Sequence, residues 1–145
     1  MTQATAGPGF LLQKGDGANP ENFTTVAEVK DITGPQIKVT TKDATNQSST
    51  GAWAEKVATI KDGGTVTFKC NAIPSTPTQN STTGLLADLL NKTLRNFRIQ
   101  NQDGAATRWN FAAFVTDLKQ TAPVDGILEW DMTLTISGAV TTTNF

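Results

Sequence analysis

The clearest pattern in the chain lies near its C-terminus, where Leu128, Trp130, Met132, Leu134 and Ile136 alternate with Glu129, Asp131, Thr133, Thr135 and Ser137. Strict alternation is the period of a strand with one face in a core and the other in water, so 127–138 is predicted as a strand in which about ten alternating residues extend roughly 34 Å. The same period runs through 65–72, where Val66, Phe68, Cys70 and Ala72 face one way and Thr65, Thr67, Lys69 and Asn71 the other. Shorter strand-like runs at 10–14, 23–33, 36–41, 53–61, 95–101 and 107–119 are punctuated by turn residues: Gly15-Asp16-Gly17 with Asn19-Pro20, Gly34-Pro35, Asp62-Gly63-Gly64, Asp103-Gly104, and Pro123 with Asp125-Gly126. Asp-Gly and Gly-Gly tolerate the positive φ of tight turns, and 62–64 is read as a hairpin turn between 53–61 and 65–72.

One segment breaks the strand period. Leu85, Leu86, Leu89, Leu90 and Leu94 recur at helical spacing, β-branched residues nearly vanish over 84–92, Thr82 or Thr83 can cap the N-terminus, and Asp88 precedes Lys92 by four residues on the expected solvent side. The fold class is therefore mainly β with one helix. A chain of 145 residues suits a single domain, 1–145, with 1–9 as a flexible leader and 139–145 as a polar tail.

Between 42 and 52 the hydrophobic pattern stops. Over 41–51 the only apolar side chain is Ala44, and the run holds Lys42, Asp43, Thr45, Asn46, Gln47, Ser48, Ser49 and Thr50 before Trp53 restarts the strand signal. Hairpin loops are usually ~2 to 5 residues, so this one is either disordered or a binding arm. With almost no apolar surface, it cannot offset by itself the roughly 1 to 2 kcal/mol per residue that backbone ordering costs. By its composition alone the loop is expected to be mobile.

Composition narrows the chemistry. Lys plus Arg total 12 against 13 Asp plus Glu, so no overall field draws the protein onto nucleic acid or an anionic membrane. No apolar run approaches the ~20 residues of a membrane span and 1–10 lacks the basic and apolar regions of a signal peptide, so membrane anchoring is not expected and a cytoplasmic site of production is. The chain contains no histidine and no tyrosine. Histidine-dependent triads and histidine-bearing zinc sites are thereby excluded. The single cysteine, Cys70, falls on the apolar side of its strand and reads as a buried, inert thiol.

Glu129 and Asp131 project from one strand face about 7 Å apart, a spacing a carboxylate-pair hydrolase uses, but an alternating strand always sets such residues on its wet face. A solvated or lumen-facing role is the simpler reading. The sequons at Asn22, Asn46, Asn80 and Asn91 match the abundance of Asn, Ser and Thr, and Trp109 and Trp130 sit in alternating apolar runs as core residues. No cofactor is expected.

In order, the chain shows a GDG turn after the first strand, FTTVAEVKDIT leading to a Gly-Pro kink, DATN opening the polar loop, a Trp-bearing return strand, DGGTVTFKC, the leucine helix, a Phe-Arg-Ile strand and two long C-terminal strands. This order resembles the major tail tube protein of long-tailed phages with non-contractile tails, over about 10–140. The resemblance implies two packed antiparallel sheets, sandwich- or barrel-like, flanked by one helix. It further implies a structural virion protein without enzymatic activity, whose hexameric rings stack into a tail tube that conducts double-stranded DNA. Its implied partners are copies of itself, a tape measure protein, a tail terminator and tail tip proteins, with assembly in the host cytoplasm. Lys42, Asp43, Thr45, Asn46, Gln47, Ser48, Ser49, Thr50 and Trp53 then become candidate interface residues, and Glu129, Asp131, Thr133 and Thr135 candidate lumen residues. The tube of a type VI secretion-like system and a small β-barrel ligand carrier are the alternatives.

Overall fold

The alternating runs fold into β1 (Leu11–Gly15), β2 (Phe23–Thr25), β3 (Val29–Thr33), β4 (Lys38–Asp43), β5 (Lys56–Asp62), β6 (Thr65–Asn71), β7 (Leu94–Gln100), β8 (Thr107–Thr121), β9 (Glu129–Ile136) and β10 (Thr141–Asn144), with one helix, α1 (Leu85–Asn91). A computed structural model describes residues 10–18, 20–48, 50–101 and 107–144. The expected leader at 1–9, the Asp103-Gly104 turn, and residues Asn19, Ser49 and Phe145 lie outside the described residues.

Eight strands join in one antiparallel sheet ordered β2-β1-β7-β8-β9-β6-β3, with β10 also on β8, while β4 and β5 pair only with each other. The long strand β8 makes two layers out of one sheet. Its first half pairs with β7, from Arg108↔Gln100 to Phe114↔Leu94, and with β10. Its second half pairs with β9, from Ala113↔Ile136 to Thr121↔Glu129, with a register irregularity between Val115 and Asp117. An extra residue in a strand bends and twists it, and the hydroxyl of Thr116 at that point meets the Thr135 hydroxyl at 2.9 Å. The two expected sheets are thus continuous through β8.

Both layers supply one core. Leu12, Phe97, Ile99 and Phe111 from the β1-β7-β8 layer meet Val66, Phe68, Cys70, Trp130, Met132, Leu134 and Ile136 from the β6-β9 layer, with Leu85 from α1. Burying a side chain of this size contributes roughly 1.5 to 3 kcal/mol, which is why β6 and β9 keep their alternation so strictly. Cys70 is fully buried, and desolvation, the largest cause, pushes its thiol up to about 11. Trp130 is buried with its Nε1–H donated to Gln120 Oε1 at 2.9 Å, and Trp109 packs against the core.

Several expectations change. The 23–33 run is two strands, because Val26 turns into the core and Glu28 takes φ 51, carrying the chain from β1 in one layer to β6 in the other. Asp62-Gly63-Gly64 is not a hairpin turn: β5 and β6 belong to different sheets, and the glycines let the chain leave the body. A Cβ on Gly64 would lie 2.1 Å from the Gln36 carbonyl oxygen, and Gly64 has φ 73. The polar tail contributes β10, whose threonines need no apolar face because the strand lies exposed along the rim of β8.

The helix is capped differently from expectation. Gly84, not a threonine, is the N-cap, and the Asn80 side-chain oxygen accepts from the backbone N–H of Thr82, Thr83 and Gly84. Leu90 is exposed and Leu94 opens β7, so the apolar stripe is shorter than the leucine spacing suggests. Asp88 is not on the solvent side. It is 2% exposed, with Arg95 Nε donating to Oδ1 at 3.0 Å and Lys14 Nζ 3.2 Å from Oδ2, while the Lys14 hydrogen bond itself goes to the Thr83 carbonyl at 2.8 Å. This triad ties α1 to β1 and β7.

Candidate functional site

The polar run at 42–52 proves to be the apex of a β-hairpin arm. Lys42 and Asp43 belong to β4, opposite Val57 and Lys56 on β5, and the ladder continues as Ala44 N–H donates to the Glu55 carbonyl at 2.8 Å. Thr45 extends it, its hydroxyl accepting from Glu55 N–H at 2.8 Å. The Asn46 side chain accepts from Ser48 N–H at 2.7 Å, and Gln47 sits in that turn. A 3-10 turn at Thr50–Ala52 follows, with Trp53 just after it rather than within a strand, its indole beside Gly51 and 77% exposed.

The arm's exposure is its main property. Every residue of β4 and β5 is exposed, including Val39, Val57 and Ile60. A two-stranded ribbon is marginal in water at best, and these apolar side chains find no cover on the body. Polar and apolar residues mix on both faces, so the alternation that marks a half-buried strand is missing from the sequence here. Asp43 is held below its ordinary range mainly by hydrogen bonds from the Thr45 hydroxyl and N–H; its 3.6 Å ion pair with Lys56 adds less.

The outer face of the β3-β6-β9-β8 layer holds the other candidates. Glu129, Asp131, Thr133 and Thr135 share it, as their alternation requires. Register then supplies what sequence could not. Asp31, Lys69, Asp131 and Lys119 stand directly opposite one another across four strands, alternating in sign. Opposite charges in facing positions stabilise a sheet modestly, by roughly 0.2 to 1 kcal/mol per pair. Glu129 accepts from Lys30 Nζ at 2.8 Å, and this hydrogen bond and charge hold its carboxyl below the usual range. Glu129 is therefore ion-paired, and Asp131 stands in register between Lys69 and Lys119, so the two carboxylates are not an isolated pair.

The outer face of the other layer differs. Arg98 lies 4.0 Å over the Phe23 ring, the Gln100 carboxamide oxygen faces the Arg108 guanidinium at 3.0 and 3.1 Å, and Asn110 donates to the Thr143 hydroxyl at 3.0 Å. Burial, and then Arg108, lower the Arg98 pKa.

One shared core, two wet sheet faces and an arm that its own body leaves uncovered define a structural subunit that is completed by joining others. The family model for the lambda phage tail tube protein matches residues 13–143, and the chain belongs to that family. It is a structural component of a virion tail and not an enzyme. No curated protein sequence matches it. Among solved structures it is similar to a protein of the native gene transfer agent virion, at 14% identity and TM-score 0.71, covering 97% of this chain and 99% of that one. It is equally similar to a protein in the tail of the empty gene transfer agent particle, computed with C6 symmetry, at 16% identity and TM-score 0.71 over 97% and 99%. A protein in the anti-feeding prophage tube terminating cap matches at 16% identity and TM-score 0.70, over 100% of this chain and 94% of that one.

Proposed function

We propose that six copies of this chain close into a ring, that rings stack into a tube through the 38–62 arm, and that the β9 face lines a bore through which double-stranded DNA passes. The observation that carries this reading is the arm: a ribbon with both strands fully exposed and with Val39, Val57, Ile60 and Trp53 in water, a surface that another copy would cover. The C6 symmetry of the similar gene transfer agent tail supports six. A protein of an extracellular contractile injection system shares the fold at a similar TM-score, so fold alone does not separate a contractile system from a non-contractile tail; the family match favours the latter.

Charge supports the assignment of the bore. A wall that bound phosphates tightly would stall DNA. Rows such as Asp31–Lys69–Asp131–Lys119 balance their charge internally, whereas the opposite layer presents Arg98 and Arg108. Lys42, Asp43, Thr45, Asn46, Gln47, Ser48, Ser49, Thr50 and Trp53 act as interface residues in this reading. A tape measure protein, a tail terminator and tail tip proteins are the further partners.

Deleting residues 46–49 tests the arm: the monomer keeps its fold and negative staining shows no tubes, whereas a solvated loop tolerates the deletion and tubes persist. A helical reconstruction tests the bore. Glu129 and Asp131 on the outside of the tube would overturn that assignment.

A further inference from the structure

The arm accounts for one half of a contact, and the opposite pole of the subunit carries a candidate for the other half. The arm leaves the body at the Ile136 end of β9, where Ile136 N–H donates to the Gly64 carbonyl at 3.0 Å and Gly63 lies against Ile136 and Val140. At the other end, β8 and β9 close on the pair Thr121↔Glu129, and the connecting segment 122–128 forms a turn with Gly126 N–H on the Pro123 carbonyl. Eight residues of β9 separate the two places, about 27 Å.

Hairpin apices are normally polar, yet this one holds up Val124 at 106% exposure and Ile127 at 60%. No other described large hydrophobic side chain of the body beyond the arm exceeds Val124 in exposure. The arm matches it in kind. Register places Val57 opposite Lys42, and the irregularity between Val39 and Thr41 leaves Thr59 and Ile60 beside Thr40 on that same face. This arm face thus offers Val57 and Ile60 with Lys42 beside them. The apex offers Val124 and Ile127 with Asp125 between them.

We infer that the 122–128 apex of one subunit seats on the Val57/Ile60 face of the arm of a subunit in the adjacent ring, with Asp125 against Lys42. Complementary patches at opposite poles cannot pair isologously; they join head to tail, and head-to-tail contacts that do not close produce open stacks. The inference rests on the tail tube reading and adds the acceptor site to it.

The test uses tubes isolated from cells producing the complete tail. In the variant Ile60→Cys/Val124→Cys, mild oxidation gives a ladder of covalent multimers from tubes and none from free subunits; Cys70 is buried and does not compete. Val124→Ser/Ile127→Ser keeps the monomer fold and raises the concentration needed for assembly at least about tenfold. Lys42→Asp weakens assembly and Asp125→Lys restores it in the double variant. Normal assembly of Val124→Ser/Ile127→Ser without a 60–124 cross-link, alongside failure of the 46–49 deletion, overturns this contact and leaves the arm reading standing. Tubes from the 46–49 deletion would overturn the arm reading itself.

Discussion

Two regions of this molecule are built from strands and are stabilised in opposite ways. In the eight-stranded body, β6 and β9 alternate strictly because one face of each enters a shared core, and Val66, Cys70, Met132 and Leu134 are essentially inaccessible. In the arm, β4 and β5 hold their register by hydrogen bonds and one exposed ion pair, and expose both faces. The body is a finished fold; the arm is a ribbon that its own body leaves uncovered, and in the proposed function another copy covers it. The difference shows that hydrogen-bonded pairing and burial are separable within one chain.

The largest expected effect is in amide exchange of the free subunit. Amides of β6 and β9 open only with global unfolding and exchange slower than those of β4 and β5 by on the order of a thousandfold or more. After polymerisation the arm amides slow markedly while those of β9 change little. Arm protection equal to that of β9 in the free subunit would show that the ribbon is stable by itself and would break the comparison.

Ion pairs give a second contrast. Asp88 is 2% exposed and holds Lys14 and Arg95, so Asp88→Ala leaves the buried Lys14 ammonium without its counter-charge and costs about 3 to 5 kcal/mol in urea unfolding. The Lys56–Asp43 pair of the arm is exposed on both sides, and Lys56→Ala changes body stability by less than about 0.5 kcal/mol. A loss below about 1 kcal/mol for Asp88→Ala would mean that water reaches the triad.

These contrasts track what the sequence made legible. Strands β6 and β9 and the position of α1 could be read because their apolar residues repeat with a fixed period. The break at Val26 to Glu28 could not, since the 23–33 run keeps a strand-like composition across the crossing between layers. Strands with two wet faces carry little period: 36–41 and 53–61 read as strands, but their pairing with each other and their exposure on both faces were not legible, and β10 looked like a tail. Asp88 resembled a solvent-side partner of Lys92 because its true partners are distant in sequence, on β1 and β7. The same limit applies to the candidate surfaces: the polar run at 42–50 and the wet face of β9 were visible, whereas the exposure of Val57 and Ile60 was not. The Lys69 and Lys119 neighbours of Asp131 required the register.

The smallest expected effect separates two carboxylates that are both held below their ordinary range for different reasons. Glu129 in the body is lowered from 4.5 chiefly by the hydrogen bond and charge of Lys30, whereas Asp43 in the arm is lowered from 3.8 chiefly by hydrogen bonds from Thr45. A depressed folded-state value contributes stability above the unfolded value and loses it as pH falls through the folded value, so the Glu129 contact weakens as pH falls below 4.5 and the Asp43 contact as it falls below 3.8. Their responses to other changes diverge. Carboxyl titration by NMR is expected to show Glu129 moving back toward 4.5 in Lys30→Met, and moving part of the way as salt rises from about 0.05 to about 1 M, where screening reaches within a few ångströms. Asp43 is expected to ignore both changes and to rise in Thr45→Val, because a dipole in hydrogen-bond contact is screened far less than a charge. Equal salt shifts at the two sites would mean that the arm carboxylate is held by Lys56 after all, and that body and arm do not differ in how they fix their surface charge.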